Sequence, residues 1–375
     1  MSDTVDDRKN VVVVGGGAGG ALTARLLSSK LDASKYNLIL IDARPNFILL
    51  PASARVNVCN PDGLEDKVLV NLKDVFATNN GTFIQQKVVS IEKAQEGPGG
   101  HLVLSNGERI GFHVLVLSPG SKWSGPFAFP DSESDLREFF DANRTSIKAA
   151  KDILLVGGGA VGIELAGEIR DEYPDKSITI VQRNEYLLNP AYPVRFRKAV
   201  AARLSARNVN LIFQDSVDET HPTEGIVKTR SGATIQADLV LATFGPKPNT
   251  EFIAKSLGAD VLTDTGFVKV KPTLQLSTHP EIFAVGDVLD LPEQKQLFKA
   301  QSHAPIVAAN VVAYLQGKTL KTYKSMPEVI FISIGKNGGA VYLGFLGGIV
   351  LGDWCARLGK SRTLMIGMMR SALGQ

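Results

Sequence analysis

The chain has 375 residues, which is long enough for two or three domains with large cores. Its composition, 44% hydrophobic and 21% charged with 36 glycines, is typical of a soluble α/β protein rich in tight turns. The formal net charge of +3 is close to neutral for this size, so we expect no nucleic-acid partner.

The N-terminal segment MSDTVDDRKN is short, polar and acidic, and it predicts neither a signal peptide nor a transit peptide. Ser2 stands where N-myristoylation requires a glycine. The two cysteines, Cys59 and Cys355, are too far apart in sequence for a CxxC redox pair, which excludes dithiol chemistry unless they meet in the fold. We expect a cytoplasmic protein, with peripheral attachment to a membrane or lipid droplet and mitochondrial association left open.

The first motif begins with the apolar run Val11–Val14, typical of a parallel strand buried on both faces. Gly15-x-Gly17-x-x-Gly20 and a helical pattern follow. A second strand ends at Asp42, 22 residues after Gly20, where a dinucleotide-binding βαβ unit places the carboxylate for the ribose hydroxyls. Strand, glycines, helix, strand and acid in this order predict a dinucleotide site.

Alternating strands follow in GTFIQQKVVSIEKA and GHLVLSNGERIGFHVLVLSPG, with SNGE as a hairpin turn. A linker rich in proline, glycine and acids, GPFAFPDSESD, then leads to a second unit, DILLVGGGAVGIELAGEI. Because the turn where the chain crosses between domains also recurs, in HVLVLSPGS and in ADLVLATFGPKPNT, the chain contains an internal repeat at the domain level.

The second unit differs from the first at one position. Its strand ends at Gln182, 20 residues after Gly162, so an amide stands where the acid is expected, and Arg183 follows. Exchange of a carboxylate for a guanidinium is how such sites admit a 2′-phosphate. The pair favours NADPH, or equal use of NADPH and NADH; the alternative is that Arg183 is only a solvated strand-end residue.

These features resemble the two-dinucleotide flavoprotein fold of pyridine-nucleotide oxidoreductases: twin GxGxxG units, a strand ending in AVGD and the ATFG turn. Within that fold the chain is most similar to the apoptosis-inducing-factor-like family, the branch that includes the ferroptosis suppressor proteins. ARVNV, EIRDEYPDKSITIV and GKSRTLM carry that likeness, which runs from Asn10 to Arg370. One departure is SPG, residues 118–120, in place of the commoner ATG at the first domain crossing.

The resemblance implies a glutathione-reductase-like α/β fold with two Rossmann-like domains. The FAD-binding domain would be discontinuous, 1–128 and 265–325, and the NAD(P)H-binding domain would span 129–264. A small α+β segment, 326–375, would face a membrane or the quinone. A homodimer is compatible with this organisation.

For FAD, the resemblance implies a set of binding residues that surround the first glycine turn and the AVGD strand. The pyrophosphate would lie at a helix N-terminus, the adenosine ribose at Asp42, and the ribityl chain at Asp287. The full set is Gly15, Gly16, Gly17, Ala18, Gly19, Gly20, Asp42, Arg55, Val88, Gly286 and Asp287. The alternatives are an N-cap for Asp287 and a surface charge for Arg55.

For NAD(P)H, the resemblance implies Gly157, Gly159 and Gly162 at the pyrophosphate, with Gln182 and Arg183 nearby. Glu164, on the first turn of the following helix, would point towards the nicotinamide–flavin contact, unless it only satisfies the helix dipole. Lys360 in GKSR matches a lysine near the active site of the family; the alternative is a membrane-facing charge. Glu164 and Lys360 are the candidate catalytic residues.

The resemblance implies hydride transfer from nicotinamide C4 to flavin N5 and then electron transfer to a quinone such as ubiquinone. No metal is expected. His303 lies closest to the flavin helix, as a packed or capping residue or as a proton donor to the quinone. Two alternatives are a reductase of a small electron-transfer protein and a redox-sensing flavoprotein with slow turnover.

The C-terminal sequence GGAVYLGFLGGIVLGDWCARLGKSRTLMIGMM is apolar and rich in glycine. The uncharged run 337–352, which begins one residue earlier, has 16 residues, six of them glycine, and falls short of the ~20 that a spanning helix needs. The cations within or beside it are Lys336, Arg357, Lys360, Arg362 and Arg370. This mixture suits a segment on a membrane surface; the alternative is a strand pair packed into the domain core.

Overall fold

The computed structural model of the chain describes residues 7–345 and 347–375. The first part contains ten strands and three helices: β1 Lys9–Val14, α1 Ala18–Ser28, β2 Tyr36–Asp42, β3 Asn46–Ile48, α2 Leu50–Val56, α3 Leu64–Val68, β4 Leu69–Asn71, β5 Thr82–Gln85, β6 Val88–Lys93, β7 Gly100–Leu104, β8 Arg109–Phe112, β9 Val114–Leu117 and β10 Ser121–Lys122.

The middle part comprises α4 Glu133–Ala149, β11 Asp152–Val156, α5 Ala160–Glu172, β12 Ser177–Gln182, α6 Val194–Ser205, β13 Val209–Phe213, β14 Ile226–Lys228, β15 Thr234–Gln236, β16 Leu239–Ala242, β17 Lys247–Pro248 and α7 Glu251–Leu257. The last part comprises β18 Ile282–Ala284, α8 Leu297–Leu315, β19 Val329–Ile334, β20 Gly338–Leu343, β21 Ile349–Leu351, α9 Asp353–Ala356, a π-helical turn over Arg357–Ser361 and α10 Ile366–Ala372.

Two parallel sheets form the frame, in the orders β18-β9-β1-β2-β5 and β13-β12-β11-β16. Their central strands are apolar on both faces, and residues 11–14 of β1 are buried because helices cover the sheet. In each sheet the first βαβ unit carries the glycine turn that the sequence predicts. Strand β18, which follows the whole second sheet in sequence, returns to pair with β9 of the first. The predicted two-dinucleotide α/β fold is confirmed.

The chain crosses between the two sheets through β10 and β17, which pair antiparallel, with Ser121 opposite Pro248. The hairpin predicted at SNGE connects β7 to β8. The linker before the second sheet is shorter than predicted, because Ser132 accepts a hydrogen bond from the Asp135 N–H and starts α4 within it.

The C-terminal residues form the antiparallel sheet β19-β20-β21, which packs through β19 on α5 of the second sheet and through β20 on α6. The first half of β20 is buried, so the packed-strand alternative describes this part of the segment. The helical residues beyond it expose Trp354 and Leu358. Within the described ranges, no helix is long and apolar enough to cross a bilayer.

Candidate active site

A cavity of about 1340 Å³ lies where the two parallel sheets and the C-terminal sheet meet. It exceeds the roughly 300–1,000 Å³ of sites for drug-sized ligands, so it has room for a dinucleotide. Eleven of the predicted site residues line it: Gly15, Gly16, Gly17, Ala18, Gly19, Asp42, Val88, Glu164, Gly286, Asp287 and Lys360. The structure thus brings together residues that are up to 345 positions apart in sequence.

The first glycine turn fits a pyrophosphate. Gly17 is the N-cap of α1, where no side chain caps the helix and the first turn holds no acid. The free N–H groups and the helix dipole therefore remain available for an anion. A Cβ on Gly17 would meet no atom within 4 Å, whereas Gly15, at φ +99°, packs against the Ser118 carbonyl. The turn is thus open on the cavity side and closed on the sheet side.

Asp42 ends β2 at the edge of the cavity. Its Oδ2 accepts a hydrogen bond from the Gly16 N–H at 2.6 Å, and its Oδ1 accepts from the Arg44 N–H at 2.8 Å. Burial raises the pKa of this carboxyl, although both N–H groups oppose the shift. The contacts fix Asp42 beside the glycine turn, where a ribose would lie.

Asp287 lies in a 3₁₀ turn directly after β18, and Gly286 before it has φ +85°. Ser121 Oγ donates to Asp287 Oδ2 at 3.0 Å, and burial raises the pKa of the carboxyl. The N-cap alternative is wrong, because Gln296 caps α8 and Val285 caps the 3₁₀ turn. No side chain hydrogen-bonds to the N-terminus of α8, which borders the same cavity.

Glu164 and Lys360 form a buried ion pair, with Lys360 Nζ donating to Glu164 Oε1. The same oxygen accepts from the Ser333 N–H at 3.2 Å, and Nζ also donates to the Phe331 carbonyl at 3.3 Å. Glu164 is the fifth residue of α5, so its predicted place on the first turn is wrong. It contacts a lysine rather than the helix terminus, and Lys360 is buried rather than membrane-facing.

The second glycine turn lies outside the lining of this cavity, which α5 reaches through Ala160, Val161 and Glu164. Gly159 is the N-cap of α5 and, like Gly17, has neither a capping side chain nor an acid in the first turn. Gln182 Oε1 accepts from the Gly158 N–H at 3.0 Å, which repeats the contact of Asp42 with Gly16. Arg183 is exposed, with no ion pair among the described residues.

Three predicted cofactor residues, Arg55, Gly20 and Gly162, lie outside the cavity lining and make contacts within the fold. Arg55 is buried, which overturns the surface-charge alternative, but it also lies outside the cavity lining. Its guanidinium donates to Glu168 at 2.7 and 2.9 Å and to the Ser361 carbonyl at 2.7 Å. Gly20 and Gly162 each pack against the first glycine of their own turn. A Cβ on Gly20 would lie 1.8 Å from the Gly15 carbonyl, and a Cβ on Gly162 would lie 2.2 Å from the Gly157 carbonyl.

Sequence reasoning missed several cavity residues. Ser121, which holds Asp287, follows the SPG turn that signals the domain crossing, so the turn could have indicated it. Phe298 and Met326 expose apolar side chains at the cavity, and Lys295 contributes a cation. No motif marks these three, because the fold alone brings them to the site. His303 does not line the cavity, so it is the packed residue rather than a direct proton donor.

Comparison with known proteins identifies this architecture. The family model described as pyridine nucleotide-disulphide oxidoreductase matches residues 9–304. The chain belongs to this family. FAD-dependent oxidoreductase FVFD30 of Flammulina velutipes is 46% identical over 319 residues, covering 84% of this chain and 98% of that protein.

Ferroptosis suppressor protein 1 of Taeniopygia guttata is 31% identical over 382 residues, covering 99% of this chain and 98% of that protein. This match confirms the apoptosis-inducing-factor-like branch. The structure of the sulfide:quinone oxidoreductase of Aquifex aeolicus superposes on this chain with a TM-score of 0.77 at 18% sequence identity. The superposition covers 97% of this chain and 92% of that protein, and it shows that the two share a fold. The chain is an FAD-dependent oxidoreductase whose cofactors are FAD and a pyridine nucleotide.

Proposed function

We propose that the chain is an FAD-dependent NAD(P)H:quinone oxidoreductase that reduces a quinone such as ubiquinone. The observation that carries this proposal is the apolar wall of the cavity. Strand β19 contributes residues 329–332, Val-Ile-Phe-Ile, and Met365 lines the same cavity. Phe298 and Met326, which also line the cavity, are 43% and 57% exposed. A lipophilic ring fits this wall, whereas an electron-transfer protein would need a charged docking surface there.

The first glycine turn, Asp42, Val88 and Asp287 would hold FAD, and the second glycine turn would hold NAD(P)H, with NADPH favoured by Arg183. Bound there, FAD would supply the redox chemistry, which is hydride uptake from the pyridine nucleotide and electron transfer to the acceptor. Residues of α5, α8 and β19 line the part of the cavity in which the two rings would meet.

Lys360 is the group that would bind the acceptor. Its ammonium has three donors, and Glu164 and the Phe331 carbonyl use two of them. The third donor is available in the cavity for a carbonyl oxygen of the quinone, where a positive charge stabilises the developing negative charge. Glu164 holds the ammonium in place.

Exposed Trp354 and Leu358 lie on the C-terminal helical segment, which also carries the exposed Arg357 and Arg362. Apolar groups beside cations favour the surface of an anionic membrane. This arrangement supports peripheral membrane contact, which would give the cavity access to a quinone dissolved in lipid.

The test is anaerobic mixing of the FAD-loaded protein with NADPH or NADH, followed by a water-soluble quinone. We expect the flavin absorbance to bleach and then to recover rapidly when the quinone is added. Phe298→Glu should slow the recovery at least tenfold, because a carboxylate opposes an apolar ring at this position. Val194→Glu is the matched control, since Val194 is 43% exposed and lies away from the cavity lining.

Bleaching that persists in the presence of quinone would overturn the proposal. Recovery with a small iron–sulfur protein instead would establish the electron-transfer alternative. When the quinone is supplied in anionic vesicles, Trp354→Glu should slow recovery while leaving it unchanged with the water-soluble quinone. Equal rates with vesicles would rule out the membrane contact.

A further inference from the structure

A chain of hydrogen-bonded titratable side chains lies behind the N-terminal half of α8. It begins at His303, whose Nδ1 accepts a hydrogen bond from the Gly286 N–H at 3.2 Å. Because Nδ1 accepts, the ring proton lies on Nε2, which donates to Glu293 Oε1 at 2.7 Å. His303 thereby ties Glu293 to the turn that carries Asp287. It also occupies one of the two carboxylate oxygens.

The other oxygen of Glu293 leads towards the cavity. The Tyr323 hydroxyl donates to Glu293 Oε2 at 3.0 Å and lies 3.1 Å from Ser302 Oγ, whose own hydroxyl donates to the Lys299 carbonyl at 2.7 Å. Ser302 lines the cavity, whereas Glu293 and Tyr323 do not. The Tyr323 ring is held edge-on against His303, with centroids 4.7 Å apart. Two hydroxyl groups thus connect a buried carboxylate with the cavity wall.

Lys299 connects the same carboxylate with solvent. Its Nζ lies 3.8 Å from Glu293 Oε2 and 3.3 Å from Glu328 Oε1, and the Glu328 side chain is 20% exposed. Nζ also donates to the Met326 carbonyl. Nζ donates to the Pro327 carbonyl at 3.4 Å as well, so two backbone carbonyls hold the ammonium between the two carboxylates.

The protonation states suit proton transfer along this chain. Burial opposes ionisation of Glu293, but the hydrogen bonds from His303 and Tyr323 and the charge of Lys299 outweigh it and lower its pKa. Burial, together with the carboxylates of Glu293 and Glu328, raises the pKa of Tyr323 to about 12. At neutral pH a proton acceptor therefore lies beside a protonated hydroxyl. The titratable and charged groups that face Glu293 are His303, Tyr323, Lys299 and Lys295.

We propose that Glu328, Lys299, Glu293, Tyr323 and Ser302 form a proton relay from solvent to the electron acceptor in the cavity. The balance is NAD(P)H + H⁺ + quinone → NAD(P)⁺ + hydroquinone. The hydride supplies two electrons and one proton, so each turnover needs one further proton from solvent. The Ser302 hydroxyl rotates from the Lys299 carbonyl, gives its proton to a quinone oxygen and is reprotonated by Tyr323. Glu293, which is ionised at rest, takes a proton from the Lys299 ammonium and passes it to the Tyr323 oxygen, and Lys299 recovers its proton from solvent at Glu328. The relay rests on the proposed quinone reductase activity.

Tyr323→Phe tests the relay, since it removes the hydroxyl but keeps the ring against His303. We expect unchanged FAD content, melting temperature and rate of flavin bleaching by NADPH. Reoxidation by quinone should slow about 10- to 100-fold, within the range of lost general-acid catalysis, and its solvent deuterium isotope effect should change. Reoxidation by ferricyanide, which takes up electrons without protons, should be unaffected. Tyr314→Phe is the matched control, because its ring packs on Phe283 outside the relay.

Equal quinone rates in Tyr323→Phe and the unsubstituted protein would overturn the relay, and so would equal slowing with quinone and ferricyanide. Ser302→Ala provides the same test if Tyr323→Phe does not fold. A chain that reduces no quinone even when unsubstituted would instead disprove the proposed function. The two failures are therefore distinguishable.

Discussion

At the residue scale, Cys59 shows how burial controls reactivity. Burial, followed by the negative charges of Glu172 and Glu168, raises the pKa of its thiol to about 12. Because the thiolate is the nucleophile, alkylation of Cys59 at pH 8 should be on the order of a thousandfold slower than for a free cysteine. The rate should rise about tenfold per pH unit up to the pKa.

The measurement is iodoacetamide labelling followed by mass spectrometry in a Cys355→Ser background, where only Cys59 can react. Glu172→Gln should accelerate labelling because it removes the nearest negative charge. Glu185→Gln, a change at an exposed acid remote from the thiol, should not. Labelling as fast as that of a free thiol would contradict the buried environment.

Single residues were predictable where a local motif fixes them. Asp42 and Asp287 follow apolar strands, and the strand pattern alone places both carboxylates at the same edge of the sheet. Arg55 and His303 were not predictable in this way. The partner of Arg55 lies 113 residues away on α5, and His303 is held by Gly286 and Glu293 from separate turns.

At the scale of elements, Arg55 joins α2 to α5 and to the C-terminal segment through Glu168 and the Ser361 carbonyl. Arg55→Ala would leave the Glu168 carboxylate buried without a partner, so we expect a loss of about 3–5 kcal/mol in the free energy of unfolding. The double variant Arg55→Met, Glu168→Met should recover most of that loss, because apolar side chains replace both charges. Urea unfolding of the single and double variants measures both values.

A loss below about 1 kcal/mol for Arg55→Ala would show that the contact is replaceable by solvent. The single variant Glu168→Gln is the control, since it keeps the shape of the side chain and removes only the charge. The prediction is specific to the pair, because Arg55→Ala should lose more free energy of unfolding than the double variant Arg55→Met, Glu168→Met.

The elements themselves were predictable to different degrees. Strands β1, β2, β11 and β12 stand out as apolar runs beside glycine turns, because parallel strands buried on both faces have little room for polar residues. The C-terminal sheet did not stand out. Glycines lie in β20 and in the connections between the strands, which weakens the strand pattern. The sheet is held by its contact with α5, where a Cβ on Gly167 would lie 2.6 Å from Ile334. Such a close approach between distant segments leaves no local pattern.

At the scale of the whole molecule, the two nucleotide turns should be separable. Gly17 and Gly159 are both helix N-caps with φ of −69° and −77°, and a Cβ at either would meet no atom within 4 Å. Aspartate is a favoured N-cap, so Gly17→Asp and Gly159→Asp should keep or raise stability by a few tenths of a kcal/mol. Each carboxylate would occupy the place of a phosphate.

Gly17→Asp should therefore purify without FAD yet still bind NADPH, measured by absorbance at the flavin bands and by calorimetric titration. Gly159→Asp should retain FAD but lose at least a hundredfold in NADPH affinity, and its flavin should not bleach at low NADPH. Loss of both ligands in either variant would show that the two sites do not act independently.

The ion pair of Glu164 with Lys360 has a consequence for how the chain can be divided. The family match ends at residue 304 and contains both glycine turns, but Lys360 is supplied by chain 196 residues beyond its carboxylate. The last segment is therefore not an interchangeable module. A tail exchanged with that of a relative must bring a cation for Glu164 and a backbone acceptor for Arg55, and must leave the face of Gly167 clear. Compatibility is decided at three contacts, one on α2 and two on α5, whatever the overall similarity of the tails.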